Sequence, residues 1–191
     1  MLFSRKHSKL NLRFVSTCKL TQRLAKGSLD PMKLPDLPPD LTFQMLTPTD
    51  EEFEFSFQVK RQALGPHIIQ QWGWDEKFQR EVHDQRLREK PFCRIELDGQ
   101  PIGTLSLQLL PEFVRFGEFY LMDSFRGLGL GSKILAHCLA LADAEDLPVR
   151  LEYLLWNPVG SLYRRNGFVE VGRTSTHFLM ERPKRLDSRQ S

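Results

Sequence analysis

Hydrophobic and polar positions change from strand-like to helix-like spacing several times after residue 40. Residues 41–46 alternate with a period of two, which predicts a short strand. Thr49, followed three residues later by Glu52, is a capping box and predicts a helix to about Leu64. Three alternating phenylalanines in the same stretch would also suit a strand, so the pattern leaves both structures open there.

The middle of the chain combines a loop, a polar helix and a run of strands. Residues 65–74 are predicted as a loop that holds Trp72 and Trp74, and residues 75–89 as a polar helix, on which we expect His83 to be solvated. Three strands are predicted over residues 92–97, 101–109 and 114–122. Asp98-Gly99 suits a tight type I′ hairpin turn, so these strands should form an antiparallel meander.

The second half of the chain contains the strongest helical pattern. Apolar residues recur at helical spacing up to Ala144 and define one buried stripe. They are Leu130, Ile134, Leu135, Cys138, Leu139, Leu141 and Ala142. A strand over residues 149–156 follows, then a short helix with Asn157 as its N-cap and Asn166-Gly167 at its end. Residues 168–173 and 176–180 read as a closing pair of strands.

Charge is distributed unevenly between the ends and the body of the chain. The 191 residues carry a formal net charge of +3, but residues 1–29 hold seven Lys/Arg and no acid. Residues 30–181 then carry −7, which argues against nucleic acid or a membrane surface as a partner held by bulk charge. We expect a basic leader and Pro-rich linker over residues 1–39, one domain over 40–183 and a basic tail over 184–191.

The cysteines and the N-terminal segment bear on the compartment. Three cysteines match no zinc template and no C-x-x-C pair, so we expect structural thiols and no metal. The N-terminal stretch shows no apolar h-region followed by small residues, which argues against a secretory signal, and no apolar run reaches membrane-spanning length. A cytoplasmic protein, monomeric or homodimeric, is expected. A mitochondrial matrix location is the alternative if residues 1–31 are a transit peptide. The competing interpretation of this segment is that it comes from an upstream start codon and that Met32 begins the true product.

A glycine-rich segment lies between the third meander strand and the strongest helix. Asp123 to Ser132 contains three glycines spaced G-x-G-x-G, and their amides should converge at the helix N-terminus. Such a site favours an anion, because unpaired N–H groups and the positive end of the helix dipole point at one spot. The Walker Lys-Ser/Thr is missing, and the Rossmann spacing is not met. We therefore expect a phosphate-binding loop of another kind.

These motifs resemble those of the GNAT superfamily of CoA-dependent N-acetyltransferases. The segment Arg126-Gly127-Leu128-Gly129-Leu130-Gly131 is similar to that family's R/Q-x-x-G-x-G/A motif. Residues 151–167 resemble the conserved block that follows this motif in the family. The Q-W-G-W-D-E stretch at 71–76 and the T-x-T-H stretch at 174–177 are similar to a mostly uncharacterised bacterial branch. The resemblance covers about residues 41–183 and implies an α/β fold with a mixed, mostly antiparallel sheet of six or seven strands flanked by helices.

The resemblance implies a binding site for acetyl-CoA. Backbone amides of the loop would hold the pyrophosphate, and the strand end at Leu121 and Met122 would separate from the strand over 149–155 to admit pantetheine. Asn157 would lie beside the pantetheine arm, although an N-cap role explains it equally well. The residues implied in cofactor binding are Leu121, Met122, Arg126, Gly127, Leu128, Gly129, Leu130, Gly131, Ser132 and Asn157.

The resemblance also implies direct attack of an amine on the thioester in a ternary complex. Tyr163 occupies the family's general-acid position, where a tyrosine protonates the departing thiolate; a core tyrosine is the alternative. A base is needed because an alkylammonium with a pKa of about 10.4 is almost wholly protonated at pH 7. Glu118 and His177 are the candidates, each with an exposed strand residue as the competing interpretation.

The acceptor is the least determined part of the sequence-based hypothesis. Trp72 and Trp74 lie where the family builds its acceptor pocket and could stack on a planar or cationic group, or they could form a hydrophobic lid. The acidic body of the domain favours a cationic amine of a small molecule or peptide. A GNAT module that binds acyl-CoA without turnover is the alternative from another functional class.

Overall fold

The computed structural model describes residues 37–185. Residues 1–36 of the predicted leader and linker, which include Cys18, lie outside the described residues, as do residues 186–191 of the predicted tail. The elements of the described part are β1 (Leu41–Met45), α1 (Asp50–Trp72), α2 (Glu76–Glu89), β2 (Cys93–Leu97), β3 (Gln100–Leu109), β4 (Val114–Leu121), a 3₁₀ turn (Asp123–Phe125), α3 (Leu130–Ala144), β5 (Val149–Leu154), α4 (Gly160–Arg165), β6 (Val169–Arg173) and β7 (His177–Arg182).

The strands form one seven-stranded sheet in the order β1-β2-β3-β4-β5-β7-β6. Every neighbouring pair is antiparallel except β4 and β5, which are parallel. The predicted meander is confirmed, and Asp98 (φ 52°) and Gly99 (φ 73°) have the positive φ angles that a type I′ turn requires. The predicted fold class, a mostly antiparallel sheet of six or seven strands flanked by helices, is therefore confirmed.

The first helix is longer than its sequence pattern indicates. Thr49 is its N-cap, accepting a hydrogen bond from the Glu52 amide, but the helix continues through Pro66 to Trp72. The predicted loop over 65–74 is therefore wrong for residues 65–72 and confirmed only for Gly73 and Trp74, and the strand alternative is wrong. Proline removes one helical hydrogen bond, yet burial of Gly65 and Ile68 against the fold keeps the chain helical, and Gly73 (φ 77°) ends it.

The short helix α4 confirms one predicted cap and corrects the other. Gly167 (φ 84°) follows the helix, and the Phe168 amide donates to the Tyr163 carbonyl (3.2 Å), which is the Schellman arrangement. The helix begins at Gly160, however, and not directly after Asn157. Asn157 Oδ1 accepts from the Val159 amide (3.0 Å), so it caps a turn that precedes the helix.

Helices cover both faces of the sheet. The predicted stripe of α3 is confirmed, since its seven apolar residues are all buried in the main core. On the same face, Tyr163 of α4 packs against Phe116 and Tyr153. Helix α1 contacts β3 and β4 on the other face, where Phe57 is fully buried. Successive residues of β5 consequently alternate between the face covered by α3 and α4 and the face covered by α1.

The sheet opens in its centre. Strands β4 and β5 are paired only at Val114–Val149 and Arg115–Arg150, and beyond those pairs they separate. A bulge in β4 lies beside the opening, where the register with β3 shifts and Glu118 has a φ of 47°. The bulge turns Glu118 towards α2, although Phe116 two residues earlier faces α4. This opening positions the candidate site.

Candidate active site

A cavity of about 1170 Å³ passes through the opening between β4 and β5. Its walls come from α1, α2, β4, the glycine loop, β5, α4 and β7. The cavity is large enough for an extended ligand together with a second small molecule, because typical ligand pockets measure roughly 300–1,000 Å³. Most of the residues singled out in the sequence line this one space.

The glycine loop forms one end of the cavity. Gly127 (φ 75°) and Gly129 (φ 79°) adopt the left-handed conformation, and Gly129 is the N-cap of α3. Lys133 is the first residue of α3 whose backbone amide makes a helical hydrogen bond, and it donates to the Gly129 carbonyl (3.2 Å). The amides of residues 130–132 therefore have no partner inside the helix, as the anion-site prediction requires. Leu128 is exposed and Leu130 is buried in the core, and neither of these two predicted residues lines the cavity.

Arg126 fastens the loop to the end of β4. Its Nε donates to the Leu121 carbonyl (2.7 Å), and its guanidinium pairs with Asp123 (2.6 Å). The Met122 amide donates to the Ile102 carbonyl and so remains part of the sheet. Leu121 and Arg126 line the cavity, as do Gly127, Gly129, Gly131 and Ser132. Because Asp123 offsets its charge, Arg126 adds less positive potential than an unpaired arginine would.

Tyr163 and Asn157 lie on the α4 side of the cavity. The Tyr163 ring is buried among Phe116, Tyr153 and Phe168. Burial, with a smaller contribution from Tyr153, raises the pKa of Tyr163 far above its ordinary value, so the hydroxyl stays protonated at neutral pH. A protonated phenol beside a cavity can donate a hydrogen bond to a developing anion.

Glu118 is the centre of a buried ion cluster on the α2 side. Its side chain is only 2% exposed and contacts Lys90 Nζ (2.9 Å), Arg86 Nη1 (3.2 Å) and Tyr120 Oη (3.2 Å), all three of which donate to it. Burial alone would raise the pKa of Glu118, but Arg86 and Lys90, together with the hydrogen bonds, outweigh it and lower the pKa. The carboxylate is ionised at neutral pH and weakly basic.

Two further titratable groups lie on the sheet face that looks towards α2. Glu152 on β5 is exposed and lines the cavity, and it makes no ion pair or hydrogen bond with the other described residues. His177 on β7 also lines the cavity, and its Nδ1 lies 2.7 Å from Thr176 Oγ1. Burial, partly opposed by the charge of Glu152, lowers the pKa of His177. Its imidazole is therefore neutral at pH 7.

Neither tryptophan of the predicted acceptor pocket lines the cavity. Trp72 ends α1 with 56% of its surface exposed and packs edge-on against Trp156 (4.9 Å between ring centroids). Trp74 donates from Nε1 to Glu76 (2.7 Å) and packs against Phe57. The structure thus brings the glycine loop, Glu118, Asn157, Tyr163 and His177 into one space and leaves both tryptophans outside it.

Several polar residues of the cavity were not predicted from the sequence, among them Arg86, Lys90, Tyr120 and Glu152. Arg86 and Lys90 are spaced i, i+4, which places them on one face at the end of α2. Tyr120 belongs to β4, which leads into the glycine loop, and Glu152 belongs to β5, which follows α3. No signal in one sequence separates these residues from ordinary surface charges, because the contact with Glu118 exists only after the β4 bulge has formed.

Several buried titratable groups lie outside the cavity. His83, expected in solvent, is fully buried, and its Nε2 lies 2.8 Å from Ser56 Oγ. Cys93 and Cys138 are buried free thiols, and burial raises the pKa of Cys93 to about 12, so neither is an activated nucleophile. Residues 37–185 contain no group of three or more His, Cys, Asp or Glu placed to hold a metal ion. None of the helices in this range has the length and apolar character to cross a membrane.

A protein-family model matches more than half of the chain. The sequence model of the Acetyltransferase (GNAT) family matches residues 50–168. No curated protein sequence shows significant similarity to the chain. The likeness of residues 71–76 and 174–177 to one bacterial branch stays a prediction.

Solved structures share the fold at low identity. A PaiA N-acetyltransferase from Thermoplasma acidophilum in complex with coenzyme A has a TM-score of 0.58 and 17% identity, covering 74% of this chain and 99% of that one. An acetyltransferase from Thermus thermophilus has a TM-score of 0.59 and 18% identity, covering 75% and 96%. The ribosomal-protein-S18-alanine N-acetyltransferase from Escherichia coli has a TM-score of 0.54 and 15% identity, covering 79% and 98%.

Proposed function

The chain belongs to the GNAT acetyltransferase family, and from that premise we propose that it transfers an acetyl group from acetyl-CoA to an amine within a ternary complex. The observation that carries the proposal is the single cavity that joins an amide-lined glycine loop to a set of ionisable side chains through the gap between β4 and β5. An acyl donor and an acceptor can therefore meet without a covalent enzyme intermediate.

The glycine-loop end suits the donor. The amides of residues 130–132 and the left-handed glycines beside them offer a phosphate a site free of side chains. Where β4 and β5 separate, their backbone N–H and C=O groups lack a partner strand, which would let an extended pantetheine chain hydrogen-bond there. Asn157 and Leu121 line the same passage.

The reaction requires loss of a proton from the acceptor before attack. The free amine forms a bond from nitrogen to the acetyl carbon, the carbon–sulfur bond breaks, and sulfur leaves with the electron pair. An ammonium acceptor and acetyl-CoA thus give an N-acetyl product, CoA and a proton. The proton reaches solvent through a base that lines the cavity.

Glu152 is the carboxylate best placed to accept that proton. It is exposed in the cavity and unpaired among the described residues, whereas Glu118 is neutralised by Arg86 and Lys90. The lowered pKa of Glu118 weakens it as a base, and we assign it the role of holding the two cations. His177 is neutral at pH 7 and is the second proton acceptor on the same sheet face.

Tyr163 would serve the leaving sulfur. Its raised pKa makes full proton transfer to a thiolate unfavourable, because an ordinary thiol has a pKa of about 8.5. A hydrogen bond from the phenol still stabilises the thiolate as its charge develops. Replacement of Tyr163 by phenylalanine should therefore lower turnover on the order of 100-fold, the lower range for a positioned proton donor, with little effect on donor binding.

The proposal is tested by measuring CoA release from acetyl-CoA with a panel of amines and peptides, next to the change in melting temperature that acetyl-CoA causes. Turnover that Tyr163→Phe lowers while the thermal shift persists is the expected result. An unchanged rate in that variant would remove Tyr163 from the mechanism. A thermal shift without CoA release from any acceptor would indicate the non-catalytic acyl-CoA-binding module instead.

A further inference from the structure

The part of the cavity around Glu118 holds more positive than negative charge. Arg86 and Lys90 both contact Glu118, so two cations share one carboxylate. Lys60 lies beneath them, only 2% exposed, and its Nζ contacts the Gln79 carbonyl at 3.4 Å. No carboxylate of the described residues lies within ion-pair distance of Lys60, although Arg86 and Glu118 both influence it electrostatically. Two cations therefore contact the one buried anion, and the third, Lys60, has no carboxylate partner among the described residues.

Such a surplus is unfavourable in a partly buried site unless an anion compensates it. Arg86 and Lys90 both line the cavity, and Arg86 is the more exposed of the two, with 30% of its side chain exposed against 17% for Lys90. Its contacts with Glu118 use Nη1 only, and within residues 37–185 neither Nε nor Nη2 has a hydrogen-bond partner. Two adjacent donors of a planar guanidinium match the two oxygens of a carboxylate.

Glu152 supplies the opposite charge in the same cavity. Its carboxylate is exposed, and its charge acts on both Arg86 and His177. Aliphatic side chains of Ala63, Leu64 and Leu179 line the same space. A ligand with an anionic group at Arg86 and an ammonium at Glu152 would match this pattern, whereas a simple cationic amine would leave the surplus around Glu118 uncompensated.

We propose that the acceptor is an amino acid or a similar small amine that carries a carboxylate, and that Arg86 binds this carboxylate. The inference rests on the proposed acetyl transfer and adds the chemical class of the acceptor. It differs from the expectation drawn from the acidic body of the chain, because net charge averages over surfaces that never meet the ligand. Glu152 then faces the ammonium end, where deprotonation is needed.

The test uses matched acceptors that differ only in the carboxylate. A set of α-, β- and γ-amino acids is assayed for CoA release, each beside its own carboxamide. We expect kcat/KM for an accepted acid to exceed that for its carboxamide. In Arg86→Gln, kcat/KM for the acid should fall by on the order of 10-fold to 100-fold, the range for a lost charged hydrogen bond, while that for the carboxamide stays nearly unchanged.

Two further variants separate recognition from folding. Arg88→Gln changes an arginine on the same helix that pairs with Asp84 outside the cavity. It should leave kcat/KM unchanged for both the acid and its carboxamide. Arg86→Lys keeps the charge beside Glu118 but loses the planar pair of donors, so it should give an intermediate preference for the acid. An unchanged thermal shift with acetyl-CoA shows that each variant is folded.

The possible failures are distinguishable. Carboxamides that react as well as their acids would overturn the inference and leave acetyl transfer intact. If no acceptor releases CoA, the proposed function fails, and the inference is decided by binding: N-acetyl amino acids, added with CoA, should raise the melting temperature more than their amides do. Equal shifts for the two would overturn the inference as well.

Discussion

The two ends of the cavity are built from different parts of the chain. At the glycine loop, the groups that face the cavity are backbone amides at the start of α3, and two glycines in the left-handed conformation shape the loop. Around Glu118, the groups are side chains brought together from α2 and β4, with Glu152 from β5 and His177 from β7. One end is a local structure, and the other is a tertiary one.

This difference predicts how each end tolerates change. A backbone site depends on φ angles, so only a substitution that alters the loop conformation should disturb it. A side-chain cluster depends on charge balance, so loss of one member leaves the others uncompensated. The three predictions below test this contrast, beginning with the largest expected effect.

Removal of the charge of Glu118 should cost the most. In Glu118→Gln, Arg86 and Lys90 lose the carboxylate they share, and we expect a loss of about 3 kcal/mol in the free energy of unfolding. That value is at the low end for a broken buried ion pair, because Arg86 is 30% exposed and solvent screens part of the charge. The melting temperature should fall by roughly 6–12 °C in a thermal unfolding experiment.

An exposed ion pair on the same helix provides the control for Glu118. Asp84→Asn removes the partner of Arg88, with both side chains largely in solvent, and should change stability by less than about 1 kcal/mol. The effect of Glu118 should also depend on pH. Because its folded pKa is lowered, its stabilisation is present above about pH 4.3 and is lost as pH falls through the folded value. Equal melting temperatures for the two variants would contradict the proposed cluster.

A bulky residue in the glycine loop should strongly weaken donor binding without comparable damage to the acceptor end. Gly129 has a φ of 79°, which a β-branched residue adopts only with strain, so Gly129→Val should reposition the loop amides. We expect the affinity for acetyl-CoA to fall on the order of 100-fold, about 2.7 kcal/mol, measured by calorimetry. Gly99→Val imposes similar strain (φ 73°) in a distant hairpin and should leave the affinity unchanged. Similar losses in both variants would mean that general destabilisation, not the loop, is responsible.

The third prediction concerns the buried groups beneath the acceptor end. Burial, assisted by the charge of Lys60, lowers the pKa of His83 to about 4, while an unfolded histidine titrates near 6.5. The unfolded state therefore binds more protons in this window, so stability falls as pH drops from about 6.5 to 4, by at most about 1.4 kcal/mol per pH unit. His83→Gln should remove this part of the pH dependence of the free energy of unfolding, measured by urea unfolding at several pH values. Parallel curves for the two proteins would contradict the prediction.

Much of the fold was predictable because it follows from short-range patterns. Thr49 with Glu52, Asp98 with Gly99, and Asn166 with Gly167 each mark a cap or turn within four residues, and all three marks are found where the spacing places them. The long α1 was not predictable in this way. Gly65 and Pro66 signal a break, and only the burial of Ile68 against the rest of the fold overrides that signal.

The candidate site also has one part that the sequence predicts and one part that it does not. The glycine loop was found from three glycines and their position before an apolar helix, and the structure shows the left-handed angles that such a loop needs. The surroundings of Glu118 were not found, because its side-chain direction depends on a bulge that the sequence does not mark. The tryptophans show the reverse case, since their prominence in the sequence suggested a pocket that they do not line.

By itself, the sequence determined the order of the elements, most of their caps and turns, and the backbone loop suited to a phosphate, because each depends on neighbours a few residues away. Tertiary structure alone decided which charges meet. Arg86 reaches Glu118 across 32 residues, and Glu152 comes to the same cavity from another strand. Electrostatic interactions depend on distance in space and on burial, and neither quantity is encoded in local spacing.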